Sequence, residues 1–412
     1  MSQITREAPP TPDFYAYPWH PLVAASNTPP FVRVEWADGT TLRLHDRWLR
    51  ENAVDRGGID LATREGLTDP AHVPAGFGVE DATIDDQGAL VITFAPEGTV
   101  APYHPGWLRH IADRRHEPDS YIPDSTAWEA ADFGDAPPDH DGARVLDDPA
   151  VLTGWVNDLL RYGIARLRDA PIESDFLLEL SNRIGPVRDT NFGPIWDVKA
   201  DVEMLGNDAT NSTANTTLRL PPHTDLPTRE TPPGFQFLHC LANETAGGNS
   251  TMADGAAVVA HLREEHPEHY EALTTLRWIF FNRGPNIDHR WSGPFIDLGV
   301  HGSPLTLRAF HPLRAFPDMD DEDVPRAYAA LACFSETAAS ARFQLSYPFA
   351  PGDIVGFDNR RILHGREAFS AGGARHLRGT YLDQDELRSF ARVANRRLEY
   401  NNQSQTIGDN HA

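Results

Sequence analysis

The apolar residues of this chain follow two rhythms, and the changes between them mark its expected parts. After an irregular lead-in over residues 1–29, rich in Pro, Tyr and polar side chains, Phe31 to Trp36 alternates bulky and polar residues, the period of a half-buried strand. Asp38-Gly39 then predicts a hairpin turn and Thr40 to Leu44 a return strand. A second β unit is expected from about Ala82 through Asp86-Gln87-Gly88 to Phe94. Tyr103 to Leu108 closes a small β-rich module over residues 30–111, whose core would be built on Trp36, Trp48, Phe94 and Trp107. Between 112 and 148 the pattern dissolves into charge, Pro and Gly, which reads as a linker.

Helical period resumes with Val151, Leu152, Trp155, Leu159 and Leu160 on one face. A short apolar strand at 163–167 follows, then a helix around Phe176, Leu177, Leu178 and Leu180 that Gly185-Pro186 stops. Beyond residue 190, strand-like runs dominate, at 235–240, 276–281, 352–357 and 377–382, with helices expected at 258–262 and 322–340. The fold class expected for residues 149–395 is mainly β with helices, a large antiparallel barrel or double sheet. Residues 396–412 read as a polar tail.

Composition narrows the function. The chain carries 36 Lys+Arg against 60 Asp+Glu in 412 residues, a formal charge of −24. That field disfavours nucleic-acid and anionic membrane partners, while a few converging arginines can still hold a small anion. Cys240 and Cys333 form no short-spaced metal or redox motif, and the N-terminus shows no signal-peptide pattern. A cytoplasmic protein acting on a small molecule is the expectation.

His223-Thr224-Asp225 carries the sharpest chemical signal. In an extended segment, residues two apart point to one side, so an imidazole and a carboxylate can meet one ion, and Leu220-Pro221-Pro222 favours extended backbone before them. His364, shortly after a strand and the turn Asp358-Asn359-Arg360-Arg361, is the best third ligand. Two imidazoles and a carboxylate suit a non-haem Fe(II) oxygenase with three open positions, and equally a zinc hydrolase. Arg375, eleven residues beyond His364 at the start of another strand, favours the oxygenase, since an arginine fork can clamp the far carboxylate of a dicarboxylate such as 2-oxoglutarate. A non-catalytic binding protein would leave both features without a role.

Five ordered blocks carry a resemblance: Leu-Pro-Pro-His-Thr-Asp-Leu-Pro-Thr-Arg-Glu at 220–230, Pro-Pro-Gly-Phe-Gln-Phe-Leu-His-Cys at 232–240, Gly-Gly-Asn-Ser-Thr-Met-Ala-Asp-Gly at 247–255, Phe-Asp-Asn-Arg-Arg-Ile-Leu-His-Gly-Arg at 357–366, and Arg-His-Leu-Arg-Gly-Thr-Tyr-Leu-Asp at 375–383. They resemble the TauD-type 2-oxoglutarate- and Fe(II)-dependent dioxygenases, more narrowly the γ-butyrobetaine dioxygenase-like branch, and residues 31–111 resemble the small β domain preceding the catalytic domain there. The resemblance implies a double-stranded β-helix (jelly roll), Fe(II) held by His223, Asp225 and His364, and O2 and 2-oxoglutarate as co-substrates. It also implies that Arg375, assisted by Ser250, holds the distal carboxylate of 2-oxoglutarate, and that the enzyme is a homodimer. The retained Asp225 points to hydroxylation and away from halogenation.

Two departures qualify what the resemblance implies. The branch usually holds a zinc after a Trp-Leu-Arg-x-Asn segment; here Trp48-Leu49-Arg50-Glu51-Asn52 is present, but Ala53, Asp55, Gly58 and Thr99 stand at the ligand positions, and no structural zinc is expected. The branch also cages a trimethylammonium head with aromatic rings. Phe192, Trp196 and Tyr381 can line such a cage, but Asn215 falls where a tyrosine is expected and His311 near a family asparagine. The substrate class implied is a small polar amine or betaine, γ-butyrobetaine included, with an amino acid, an aminophosphonate or a secondary-metabolite intermediate as the alternative.

Overall fold

In a computed structural model, residues 8–55, 57–199, 213–284, 286–299, 304–309, 314–370 and 373–399 are described. The chain forms two compact units, residues 1–121 with 394–412, and residues 122–393.

The first unit holds two three-stranded antiparallel sheets. One contains β1 (Leu22–Thr28), β2 (Phe31–Trp36) and β3 (Thr41–His45), followed by α1 (Asp46–Glu51); the other contains β4 (Gly78–Ile84), β5 (Leu90–Ala95) and β6 (Thr99–Tyr103), followed by α2 (Pro105–Ala112). The expected hairpin forms, with Gly39 at φ +84° in the turn, a backbone conformation that costs glycine little. Alternate residues Val32, Val34 and Trp36 are buried against Ile92, Phe94, Tyr103, Trp107 and Leu108. Trp48 stacks on Trp107 at 5.3 Å. The lead-in expected over 1–29 is irregular only in part. β1 lies within it, where Leu22 alone among seven residues is buried, so no alternation announces a strand that exists through its pairing with β2.

The second unit begins inside the segment expected to be a linker. Within 112–148 lie α3 (Ala130–Phe133) and β7 (Asp139–Asp141), and β7 pairs in parallel with β8 (Ile164–Arg168). Trp128 is buried there, its indole N–H donating to the Tyr162 carbonyl at 2.8 Å. One aromatic anchor in a polar context makes no period, and so this integration was not visible along the sequence. α4 (Pro149–Tyr162) is capped by Asp148, whose side chain accepts from the Ala150 N–H, and ends at Gly163 at φ +74°. α5 (Phe176–Ile184), β9 (Ile195–Lys199), β10 (Leu220–His223), β11 (Phe235–Asn243) and β12 (Ser250–Asp254) follow.

A largely helical layer then interrupts the strands: α6 (Gly255–Glu265), α7 (Pro267–Thr275), the short strands β13 (Arg277–Gly284), β14 (Ile287–Pro294), β15 (Ile296–Leu298), β16 (Pro304–Leu307) and β17 (Arg314–Asp318), and α8 (Val324–Ala338). The chain closes with β18 (Gln344–Tyr347), β19 (Ile354–Asp358), β20 (Ile362–Arg366), β21 (Arg375–Leu382) and α9 (Gln384–Glu399).

The fold of this unit is mixed β/α. Two sheets matter for function, a four-stranded one in the order β10-β20-β12-β18 and a six-stranded one in the order β7-β8-β19-β11-β21-β9. Between them lies a core of Met252, Leu345, Tyr347 and Ile362 from the first and Cys240, Val355, Phe357 and Leu377 from the second. The other face of the six-stranded sheet is covered by Trp155, Leu159, Leu177, Leu180 and Leu387 of the helices, packed on Phe235 and Phe237. Along β11, odd positions 235 and 237 therefore face helices, and even positions face the opposite sheet. Among the described residues no helix is long and apolar enough to cross a membrane.

Candidate active site

Antiparallel pairing of β10 with β20 sets His223 directly opposite His364, with ring centroids 4.2 Å apart. The next residue, Thr224, is stitched to the segment after β16: its N–H donates to the Ala309 carbonyl, its hydroxyl donates to the Leu307 carbonyl, and it accepts from the Ala309 N–H, each at 3.1 Å. Asp225 is gripped through its backbone by the fully buried Asn359. The Asn359 amide oxygen accepts from the Asp225 N–H at 2.7 Å, and its amide nitrogen donates to the Asp225 carbonyl at 3.0 Å. Leu226, at φ +52°, then turns the chain away.

One ligand atom from each of His223, Asp225 and His364 lies within 4.8 Å of the other two. Oδ1 of Asp225 stands 3.6 Å from His223 Nε2 and 3.7 Å from His364 Nε2. His223 Nδ1 lies 2.9 Å from the Pro221 carbonyl. A carbonyl only accepts, so Nδ1 carries the proton and Nε2 keeps its lone pair toward the common point.

Electrostatics agree with metal binding. Burial pushes the His364 imidazole down to about 3, helped by His223 and opposed by Asp225, so it is a neutral donor at pH 7. Burial alone would raise the Asp225 carboxyl, but His364, His223 and the Tyr381 hydroxyl hold it well below the usual carboxylate range. Two imidazoles and one carboxylate on one side of an ion suit Fe(II) with open positions.

Arg375 separates the oxygenase from the zinc hydrolase. It is buried at the start of β21, with Nε lacking a partner, and no carboxylate among the described residues pairs with it. Burial lowers its pKa, the mark of a cation without compensation. Its neighbours are occupied. Arg366 donates to the carbonyls of Ala214, Thr216 and Leu218, and Arg378 pairs with Asp197 and donates to the Ser174 carbonyl. Period-2 geometry puts Arg375, Leu377, Gly379 and Tyr381 on one face of β21, and the Tyr381 hydroxyl at the far end donates to Asp225 Oδ2 at 2.9 Å. The free fork and the triad therefore face one interior. Ser250, buried on β12, lies across from Arg366, two residues before Met252 opposite His364.

Of the expected aromatic wall, Trp196 and Tyr381 meet, with ring centroids 5.4 Å apart. Trp196 lies flat over Gly379, where an added Cβ would stand 2.3 Å from the indole, so glycine is required there. Phe192 is 42% exposed and is not brought into this pair. Asn215 ends a single 3-10 turn, Thr213–Asn215, which Arg366 holds through the flanking carbonyls of Ala214 and Thr216. His311 lies outside the described residues.

Three contributions escaped sequence reasoning. Asn359 was read only as part of a turn. Tyr381 was read for its ring and not for its hydroxyl. Gln236, almost wholly buried on β11, faces the interior across from Tyr381 and Phe357, and the Phe357 ring packs 4.8 Å from that of His364. The Gln236 amide oxygen has no hydrogen-bond partner among the described residues. Only the even position of 236 on an interior strand could have signalled this.

A 2-His-1-carboxylate triad sharing an interior with an uncommitted buried arginine defines the class, a non-haem iron dioxygenase that uses 2-oxoglutarate. Comparison with known proteins gives the same answer more narrowly. Residues 125–381 match the taurine catabolism dioxygenase TauD, TfdA family, and the chain belongs to it. It is 37% identical to a γ-butyrobetaine dioxygenase from Pseudomonas sp. strain AK-1, over 93% of this chain and 99% of that one. It is 31% identical to human γ-butyrobetaine dioxygenase, over 90% and 96%, and 28% identical to rat mitochondrial trimethyllysine dioxygenase, over 86% and 83%.

Proposed function

We propose that this dioxygenase hydroxylates a small molecule bearing an amine or betaine group, γ-butyrobetaine or a near analogue. The reading rests first on Arg375, a buried fork with no carboxylate of its own among the described residues, on the interior that holds the triad. With Fe(II) at His223, Asp225 and His364, O2 and 2-oxoglutarate supply the oxidising power, 2-oxoglutarate leaving as succinate and CO2 while one oxygen atom passes to the substrate. The chain's own part is placement. Arg375, assisted by Ser250, would fix the distal carboxylate of 2-oxoglutarate, and Thr224 and Asn359 keep the ligand loop in register. The four- and six-stranded sheets are proposed to close as a double-stranded β-helix around these groups.

The substrate class follows from relatives named for γ-butyrobetaine and trimethyllysine and from the Trp196–Tyr381 corner. An aromatic corner attracts a desolvated alkylammonium by about 2 kcal/mol. Asn215 near it replaces part of a hydrocarbon cage with an amide, which suits a primary amine, hydroxyl or phosphonate oxygen. Amino acids, aminophosphonates and secondary-metabolite intermediates therefore belong in the same screen. A homodimer and a cytoplasmic location complete the proposal.

The test is succinate formation from 2-oxoglutarate with Fe(II) under air, run against γ-butyrobetaine, less methylated and phosphonate analogues, with product mass followed for the gain of one oxygen. His223→Ala, Asp225→Ala and His364→Ala should each abolish substrate-dependent succinate while the thermal midpoint stays near wild type. Succinate formation surviving in all three would overturn the iron assignment; turnover without any gain of oxygen would overturn hydroxylation.

A further inference from the structure

Asp225 offers its two carboxylate oxygens to different neighbours. Oδ1 faces both imidazoles, at 3.6 and 3.7 Å. Oδ2 turns away and accepts the Tyr381 hydroxyl at 2.9 Å. Tyr381 is itself held, buried on β21, with its ring against Trp196 and its strand paired to β11 on one side and β9 on the other. Asn359 grips only the backbone of Asp225. Among the described residues, Tyr381 is the side chain that fixes which way the carboxylate itself is turned.

We infer that Tyr381 is a positioning residue for the metal ligand as well as a wall of the substrate corner: its hydroxyl ties down Oδ2 so that Asp225 presents a single oxygen to the ion. A carboxylate free at both oxygens can rotate to offer both, and a second oxygen would take a position that 2-oxoglutarate or O2 needs. A donor on the outer oxygen removes that freedom, as outer partners of metal-ligating carboxylates generally do. Because the same ring packs on Trp196, whatever displaces that corner also strains the hydroxyl's reach to Asp225, which links occupancy on the substrate side to the ligand. The inference rests on the iron-site reading above and adds a residue to it.

The full chain, freed of metal, is titrated anaerobically with Co(II), whose visible absorption reports coordination number, for wild type, Tyr381→Phe and Trp196→Leu. Tyr381→Phe keeps the ring and deletes the hydroxyl. It should weaken Co(II) binding by about tenfold or more and change the shape of the visible bands, beyond whatever the lost hydrogen bond takes from the metal-free thermal midpoint. Trp196→Leu should perturb the bands less, since the hydroxyl remains. A role in packing alone would lower the midpoint and leave the spectrum as in wild type. Equal affinity and an identical spectrum in Tyr381→Phe would overturn the inference while leaving the iron site standing. Absence of Co(II) binding in wild type would overturn the iron-site reading itself.

Discussion

Asp55 in the first unit and Asp225 in the second are both aspartates beside a turn, and their surroundings are opposite. Asp55 is satisfied from within. It accepts the Gly57 and Gly58 N–H groups at 2.8 Å each and the Arg50 guanidinium at 2.9 and 3.2 Å. The space beside it is closed, because a Cβ on Gly57 would stand 2.2 Å from the Arg50 guanidinium and one on Gly58 2.1 Å from the Ala53 carbonyl. Asp225 is gripped through its backbone; one carboxylate oxygen accepts the Tyr381 hydroxyl and the other is left pointing at two imidazoles. The arginines repeat the contrast, since Arg50 has a carboxylate and Arg375 has none among the described residues. A polar cluster that closes on itself supports the fold, whereas one left open at high desolvation cost is shaped for something that arrives later.

Arginine-to-leucine changes should break this contrast most clearly. Arg375→Leu removes charge-assisted hydrogen bonds worth about 1.5–3 kcal/mol each to a bound carboxylate, so the concentration of 2-oxoglutarate required should rise by about tenfold or more. It also deletes a buried cation without a partner, so stability in the absence of ligands should not fall. Arg50→Leu should do the reverse, lowering the thermal midpoint and leaving the 2-oxoglutarate requirement alone. Titration of 2-oxoglutarate into both variants, with parallel melts, checks the pair. Wild-type 2-oxoglutarate affinity in Arg375→Leu would move the clamp to Arg366, whose Nε also lacks a partner among the described residues, or to Arg378.

The closed side makes its own prediction. Ala53, Asp55, Gly58 and Thr99 stand where the resemblance places zinc ligands, and of these only Asp55 carries a strong metal donor, already engaged by Arg50. Asp55→Ala strands Arg50 and two backbone N–H groups, and should cost about 1–3 kcal/mol. In the His223→Ala variant, whose triad is broken, a chelator should leave the thermal midpoint where it was, and elemental analysis of that variant purified without added metal should find no zinc in residues 1–111. A zinc equivalent that survives chelation, with a melt that falls only on its removal, would show the closed reading of this turn to be mistaken.

Legibility in the sequence followed the range of the interactions. The 31–36 alternation, the Asp38-Gly39 hairpin and the His223-x-Asp225 spacing are local, so they could be read from neighbours. β1 could not, because a strand with one buried residue owes its existence to its partner. Nor could the place of residues 122–148, which Trp128 and a parallel pairing with β8 decide from a distance. At the site, His364 and Arg375 could be picked out by their place after and at the start of strands, but which arginine is free depends on the carbonyls of 214–218 and on Asp197, which engage Arg366 and Arg378. The hydroxyl of Tyr381 and the backbone grip of Asn359 are facts of orientation, and residue type alone does not carry orientation.

The smallest expected effect is the most discriminating, because it should have the unusual sign. Gln236 belongs to the open region: it is 1% exposed, faces the interior opposite Tyr381, and its amide oxygen has no partner among the described residues. A buried polar group left unpaired costs about 1–3 kcal/mol, and replacing it by an apolar group of similar shape removes that cost. Methionine is close in length and volume and bends to fit irregular space. Gln236→Met should therefore stabilise the protein by about 1 kcal/mol in the absence of metal and 2-oxoglutarate, while the same change weakens turnover if the amide meets a ligand in the filled site. Asp55→Ala, by contrast, removes a polar group whose partners are all within the protein and must destabilise. Denaturant melts of the two variants beside wild type, each free of ligands, decide the matter. Loss of stability in Gln236→Met would mean that its amide is already paired, and the interior beside Tyr381 would then be as closed as the Asp55 turn.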